Sequence, residues 1–243
     1  MLSLVLAATV GCLPAGASLD RGVHQRLTTP AGPIHLWCPA KGAPLETVVF
    51  VHGHELDADA VYAKHSLGEQ FESSGRAALF VVPEAPVNGG EAVKWGSLEA
   101  LLDAVEEGSG VQAPRSVIVL GHSGAYRTIA RWLGSPLATR VVLLDAAYGD
   151  LVEYHDWLLR PEVRLHVLSA LTEPRATAFI AGLGSAQRAR VKHEVTDLGH
   201  WELVSGEATI ARVIAEQPTV SGPATRAAAA ASRAHVAGRR AAR

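Results

Sequence analysis

Cysteine is nearly absent from this chain: its 243 residues include two, Cys12 and Cys38. Two cysteines cannot build a disulfide framework or a cysteine-rich zinc site. An excess of one charge is missing too. The net charge of −2 gives no electrostatic case for nucleic acid as a partner. No apolar run is long enough for a secure transmembrane span. No self-similarity recurs at solenoid spacing. What the chain has instead is apolar bulk, 48% hydrophobic residues against 19% charged, which supports a sizeable core and argues against global disorder.

The two ends differ from the middle. Leu2 to Leu13 is largely apolar, and Ala15-Gly16-Ala17 before Ser18 resembles the cleavage pattern of a secretory signal peptide, although no Lys or Arg precedes the run. Thr9-Val10-Gly11-Cys12 offers a second processing route. It resembles a lipobox with Thr9 where Leu is usual, and would place a lipid anchor on Cys12. Either route implies export to the periplasm, the exterior or a membrane-anchored lipoprotein, and neither leaves a cysteine pair for an intramolecular disulfide. Residues 218–243 hold five Arg, many Ala and no acidic residue, and read as a solvated, disordered tail. The domain proper is then 18–217, behind a leader at 1–17.

Within that domain, extended segments and helical spacings alternate. His24 to Thr29 and Pro33 to Cys38 are extended and joined by a turn at Pro30-Ala-Gly32. Buried strands are expected at Thr47–Val51, Ala77–Val82, Val117–Leu120, Arg140–Leu144, Val163–Leu168 and Val191–Val195. Helices are expected at Asp59–Ser73, Trp95–Glu107, Tyr126–Leu133, Pro174–Arg190 and Glu202–Glu216. Ala146 to Pro161 reads as a polar, aromatic connection. Alternation of this kind calls for an α/β fold, a three-layer α/β/α sandwich with a mostly parallel sheet of about eight strands and an antiparallel N-terminal edge.

The third expected parallel strand runs into Gly121-His122-Ser123-Gly124-Ala125. Small residues two positions either side of Ser123 permit a turn too tight for bulky side chains. The turn lifts the hydroxyl clear of the sheet at the positive end of the following helix. This pentapeptide is a G-x-S-x-A form of the nucleophile elbow. His52-Gly53-His54 follows an earlier strand, and Leu198-Gly199-His200 follows the last one. Each piece alone is weak; together and in this order they resemble the α/β-hydrolase family, over about Val23 to Gln217.

That resemblance implies a lidless, esterase-like serine hydrolase working through an acyl-enzyme on a small-molecule ester, less readily an amide, with no cofactor. Ser123 is the expected nucleophile and His200 the base. The acid stays open. Asp145 closes a buried strand and Glu173 lies in the loop two strands beyond the elbow, while Asp150, Asp156 and Asp197 are weaker candidates. Backbone N–H groups of His54 and Gly124 would form the oxyanion hole. Tyr148 and Trp157 are candidates for one wall of an open cleft.

Two other functions fit parts of the sequence. A non-catalytic envelope binding protein would keep the pocket without the chemistry. A metal-dependent hydrolase would use His52, His54 and Asp57, although Glu55 and Leu56 break the usual ligand spacing. The sequence leaves the oligomeric state open. Export has its own test: intact mass of protein from the native host should show loss of everything before Ser18 or a lipidated Cys12, and a full-length unmodified cytosolic species would contradict it.

Overall fold

The computed structural model describes residues 22–39, 43–206 and 208–219. The leader at 1–17, the lipid-anchor candidate Cys12 and residues 220–243 of the tail lie outside these. Cys38 is buried.

A hairpin opens the domain: β1 (Val23–Thr29) and β2 (Gly32–Cys38) pair antiparallel. The chain continues through β3 (Glu46–Val51), α1 (Ala58–Lys64), α2 (Leu67–Ser73), β4 (Ala78–Pro83), α3 (Leu98–Ser109) and β5 (Val117–His122). A single 3₁₀ turn, Ser123–Ala125, leads into α4 (Tyr126–Trp132). Then come β6 (Ala138–Leu144), α5 (Leu151–Trp157), β7 (Arg164–Ser169), α6 (Glu173–Gly182), α7 (Ser185–Arg188), β8 (Val191–Val195), α8 (Glu202–Ser205) and α9 (Thr209–Ala215). The eight strands form one sheet in the order β1-β2-β4-β3-β5-β6-β7-β8. Strand β2 is antiparallel to both its neighbours, and β3 to β8 are mutually parallel.

The unbroken apolar strands are explained by layers on both faces. Val49, Val51, Val117, Val119, Val141 and Leu143 pack under α3, α4 and α5 through Leu98, Leu102, Ile129, Trp132 and Trp157. The alternate residues Val48, Phe50, Ile118, Leu120 and Val142 face the other way. There they meet Val61, Leu67 and Phe71 of α1 and α2, and Ile210, Val213 and Ile214 of α9. The three-layer sandwich therefore follows from period-two alternation inside runs that are hydrophobic on every residue.

Three expected helices are divided. The 59–73 helix breaks where His65 caps α1 and Ser66 takes a left-handed conformation (φ 47°). The His65 ring meets Ser205 Oγ at 2.8 Å, and the Gln70 amide donates to the His65 and Val204 carbonyls, so this corner is pinned to α8. The 202–216 helix stops at Gly206, whose backbone is extended (φ −70°, ψ 134°). The 174–190 helix splits at Leu183 and Gly184. The 146–161 connection contains α5. Trp157 is buried there with its indole N–H on the Ala138 carbonyl at 2.8 Å, so it packs in the core and does not line a cleft.

At the N-terminal edge of the parallel strands lies a buried ionic cluster. Glu46, Arg76 and Arg140 are all buried. Arg76 Nε donates to Glu46 Oε1, and Arg140 stands 2.8 Å from Glu46 Oε2. The guanidiniums also donate to main-chain carbonyls of Ile214, Gln217 and Pro218, which ties the end of α9 beneath the sheet. Removing one partner of such a cluster leaves buried charge uncompensated. Glu46→Gln should therefore lower unfolding free energy by about 3 kcal/mol, read from the urea midpoint, whereas an unchanged midpoint would show the arginines to be satisfied by carbonyls alone.

Candidate active site

Parallel strands deliver their C-terminal ends to one edge, and Ser123, Gly124, His52, His54, Asp145 and His200 sit on or beside the turns and loops directly leaving it. Ser123 leaves β5 with φ 53°, a left-handed conformation that costs a non-glycine residue roughly 1–2 kcal/mol. Its surroundings enforce that bend. A Cβ on Gly121 would fall 2.3 Å from Ile129 Cδ1 and 2.9 Å from Ala125 Cβ. A Cβ on Gly53 would stand 2.6 Å from Ser123 Cβ, so the loop after β3 lies directly against the turn.

That loop is fixed by His52, which the sequence offered as the first residue of the His-Gly pattern and, alternatively, as a metal ligand. His52 is buried. Its Nδ1–H donates to the Gly53 carbonyl at 2.7 Å, and its Nε2 accepts from the Ala85 N–H at 2.9 Å. Burial, more than any neighbouring charge, lowers its pKa and keeps it neutral. With both nitrogens engaged, His52 has no lone pair left for a metal. Asp57 is occupied as the N-cap of α1, accepting from the Ala60 N–H at 2.8 Å. The binuclear metal arrangement expected as an alternative is therefore not assembled. His54 lays its imidazole over Gly124, at 2.4 Å from where a Cβ would stand. Burial first, then the charge of Arg127, pushes its pKa down.

Asp145 carries the strongest electrostatic signal. It follows β6 with φ 46° and is completely buried. It accepts from the N–H groups of Ala170 (3.0 Å), Leu171 (3.2 Å) and Thr172 (2.8 Å), from Thr172 Oγ1 (2.7 Å), and from His200 Nδ1 (2.6 Å). Burial opposes its ionisation, but the bonds from His200, Thr172 and Ala170 outweigh it and hold the carboxyl well below the ordinary range. The loop after β7, where the sequence offered Glu173 as an alternative acid, thus supplies donors to Asp145. Glu173 itself begins α6 and accepts from Thr177 Oγ1. Asp150 and Asp197 are exposed, and Asp156 pairs with His155 at 3.2 Å on the surface.

His200 keeps its side chain largely covered, and its Nδ1–H is committed to Asp145, which leaves Nε2 as the ring's acceptor. Its position relative to Ser123 is set by a residue sequence reasoning missed. His122, immediately before Ser123, is buried and donates from Nε2 to the His200 carbonyl at 2.9 Å. The two rings stand 4.4 Å apart. Burial, then proximity to His200, pushes the His122 pKa down to about 3. Tyr148 meets His200 edge-on at 6.2 Å, and Trp201 does so at 5.6 Å. Among the described residues no hydrogen bond joins Ser123 to His200; such contacts commonly tighten only around bound substrate. The one signal that could have revealed His122 is its place inside the pentapeptide beside a strand buried on both faces.

Among the described residues the one cluster of three potential metal ligands is His166, Glu194 and Glu216, away from this edge. Its carboxylates already pair with Lys192 and Arg212.

No protein-family model matches the chain, and no curated protein matches it in sequence. Solved structures do match in fold. A ferulic acid esterase shares 14% identity, with 79% of this chain and 98% of that chain covered at a TM-score of 0.58. EstE1, a thermostable carboxylesterase cloned from a metagenomic library, shares 12%, with 85% and 92% covered at 0.57. A CIB-like hydrolase from Thermoplasma acidophilum shares 10%, with 80% and 96% covered at 0.55. The chain has the α/β-hydrolase fold, as its strand order and antiparallel edge require.

His122 gives this edge a pH signature. Its folded pKa lies below the unfolded value of about 6.5, so below that pH the unfolded chain binds a proton that the folded chain refuses. His122 alone should contribute a fall of up to about 1.4 kcal/mol per unit from pH 6.5 toward 4, a window above that in which Asp145 contributes its own loss. His24, His35, His52, His54, His65 and His166, which burial also lowers, add to the slope, so in urea unfolding His122→Asn should make it shallower without removing it; parallel curves for the two proteins would refute the assignment.

Proposed function

We propose that this protein is a serine hydrolase cleaving a carboxylic ester, and an amide less readily. The observation that supports this most is the completely buried Asp145, held ionised and bonded to His200 Nδ1, at the same sheet edge as a strained Ser123. A stabilised carboxylate behind an imidazole is costly to bury and serves little purpose in a protein that only binds.

Ser123 Oγ attacks the ester carbonyl as His200 Nε2 takes its proton. Asp145 fixes the imidazole tautomer and stabilises the imidazolium that forms. The tetrahedral oxyanion lies against the N–H groups of His54 and Gly124. The 3₁₀ turn leaves the N–H of its opening residues unbonded, and Glu55 N–H, bound to the Val87 carbonyl at 2.7 Å, holds the His54 peptide in place from the far side. Collapse of the intermediate breaks the C–O bond, and His200 returns its proton to the leaving alkoxide. Water, deprotonated by His200, then attacks the acyl-serine; the acid leaves and Ser123 regains its hydrogen.

The similar solved structures named as esterases support the same substrate class. Access is proposed to be open. The segment between Asp145 and β7 is spent on α5 and its core contacts, which leaves no long apolar flap. Export, through cleavage before Ser18 or at a lipidated Cys12, remains part of the proposal on the sequence of the leader alone.

A fluorophosphonate should label the protein, and Ser123→Ala should abolish labelling. Ser123→Ala and His200→Ala should each lower short-chain nitrophenyl ester turnover on the order of 10⁴-fold, with Asp145→Asn close behind. Glu173→Gln should change turnover less than about twofold. If Glu173→Gln kills activity while Asp145→Asn does not, the acid is misassigned; labelling that survives Ser123→Ala removes the serine mechanism.

A further inference from the structure

One turn beyond Ser123, α4 presents two arginines to a pocket of about 480 Å³ lined by Ala92, Val93, Gly96, Arg127, Arg131 and Asp150. Arg127 is four residues after Ser123, so its α-carbon lies about 6–7 Å further along the turn and helix. The 88–91 segment links this pocket to the proposed reaction site, and the charge of Arg127 is felt at His54. His54, which covers Gly124, also lies beside Gly89, with Cε1 3.9 Å from where a Cβ would stand. Arg127 grips the same loop by donating to the carbonyls of Asn88 (3.5 Å) and Glu91 (3.1 Å).

The charges here are unbalanced in a way that specifies a ligand. Arg127 donates only to neutral carbonyls, and Arg131 is exposed with no acceptor among the described residues. Neither forms an ion pair with Asp150, the acidic residue on the pocket wall. Glu91 is paired with Lys94 at 3.1 Å, and Glu153 stands outside the lining. The lining itself sets two guanidiniums against one carboxylate, Asp150, on which both arginines and the neighbouring Glu153 act; Arg127 turns Nη1 and Nη2 to the 88–91 carbonyls, so the planar N–H fork left open is that of Arg131. That geometry is complementary to a carboxylate.

We propose that this pocket selects substrates carrying a carboxylate a few bonds from the scissile ester, so that the preferred substrate class is monoanionic rather than plainly apolar. The proposal rests on the serine hydrolase reading for what happens to that substrate, and on Arg127 and Arg131 alone for how it is recognised. Arg127 and Arg131 are specificity residues, and Asp150 tempers their field.

Binding can be measured apart from turnover. Monomethyl glutarate and dimethyl glutarate, titrated by calorimetry into full-length Ser123→Ala, compare a monoanion with a neutral ester of similar length. The monoanion should bind on the order of tenfold more tightly. Arg131→Gln in the same background should remove most of that preference, Arg127→Gln should do so too, and Asp150→Asn should increase it. Arg131 is exposed, so its variant keeps the test intact even where Arg127→Gln loosens the 88–91 loop. Equal binding of the two esters, or a preference that survives both arginine substitutions, overturns the proposal. Turnover of 4-nitrophenyl acetate by the unsubstituted protein reports separately on hydrolysis: monoanion preference without turnover would keep the pocket and discard the chemistry.

Discussion

The hydrogen bond between His200 and Asp145 is the contact on which the C-terminal edge of the sheet depends. It joins the ends of β6 and β8 across the intervening β7. A carboxylate in that position would ordinarily protonate or drag in water, because burial penalises its charge by several kcal/mol. Hydrogen bonds to a charged acceptor return about 1.5–3 kcal/mol each, and Asp145 accepts five. Four of them come from the single turn at Ala170–Thr172. The charge is held by the loop after β7, and the imidazole is held by the charge.

The same edge stores strain. Ser123, Asp145 and Glu55 all adopt left-handed backbone conformations without being glycine. Such residues persist only where the surroundings over-determine them. Gly53 lies directly against Ser123, and Asp145 is drawn back toward β7 through its N–H on the Leu168 carbonyl. Two histidines do this work as neutral hydrogen-bonding blocks. His52 braces the loop after β3, and His122 holds the His200 backbone. A charged imidazole at either place would face burial that the nearby carboxylates, Asp57 and Glu91 for His52 and Asp145 for His122, do not offset, which is why burial dominates both pKa shifts.

Much of this was legible from residue order. Hydrophobic runs on every position gave the parallel strands, and the alternation hidden inside them gave the two outer layers. Gly121, Ser123 and Ala125 gave the bend, since their sizes alone dictate it. Asp145 stood out because a carboxylate closing a strand such as β6 has no packing reason to be there. What stayed hidden depended on contacts across the sheet. Nothing in the sequence near Thr172 shows that its N–H and hydroxyl turn toward a residue 27 positions earlier. His52 could be read alternatively as a metal ligand because its partner, the Ala85 N–H, is supplied by the segment after β4. The helix breaks at Ser66 and Gly206 were missed for different reasons. Gly206 is an ordinary stop overlooked within an apolar pattern, while Ser66 is bent by the tertiary pairing of His65 with Ser205.

The opposite edge shows why the strained one can exist. At the start of the strands, Glu46, Arg76 and Arg140 form an unstrained ionic knot that also captures the main chain after α9. Helix α9 covers the face of the sheet that α1, α2 and α8 share, and α8 leads directly out of His200. Its position therefore limits how far the His200 loop can drift from Asp145. Buried ion clusters of this kind add little net stability over apolar packing, but they fix one arrangement among several. Here the arrangement they fix runs from the base of β3 and β6, along α9, to the imidazole at the far edge. At that end the imidazole is kept within hydrogen-bond reach of the buried carboxylate, 2.6 Å from Nδ1 to Asp145.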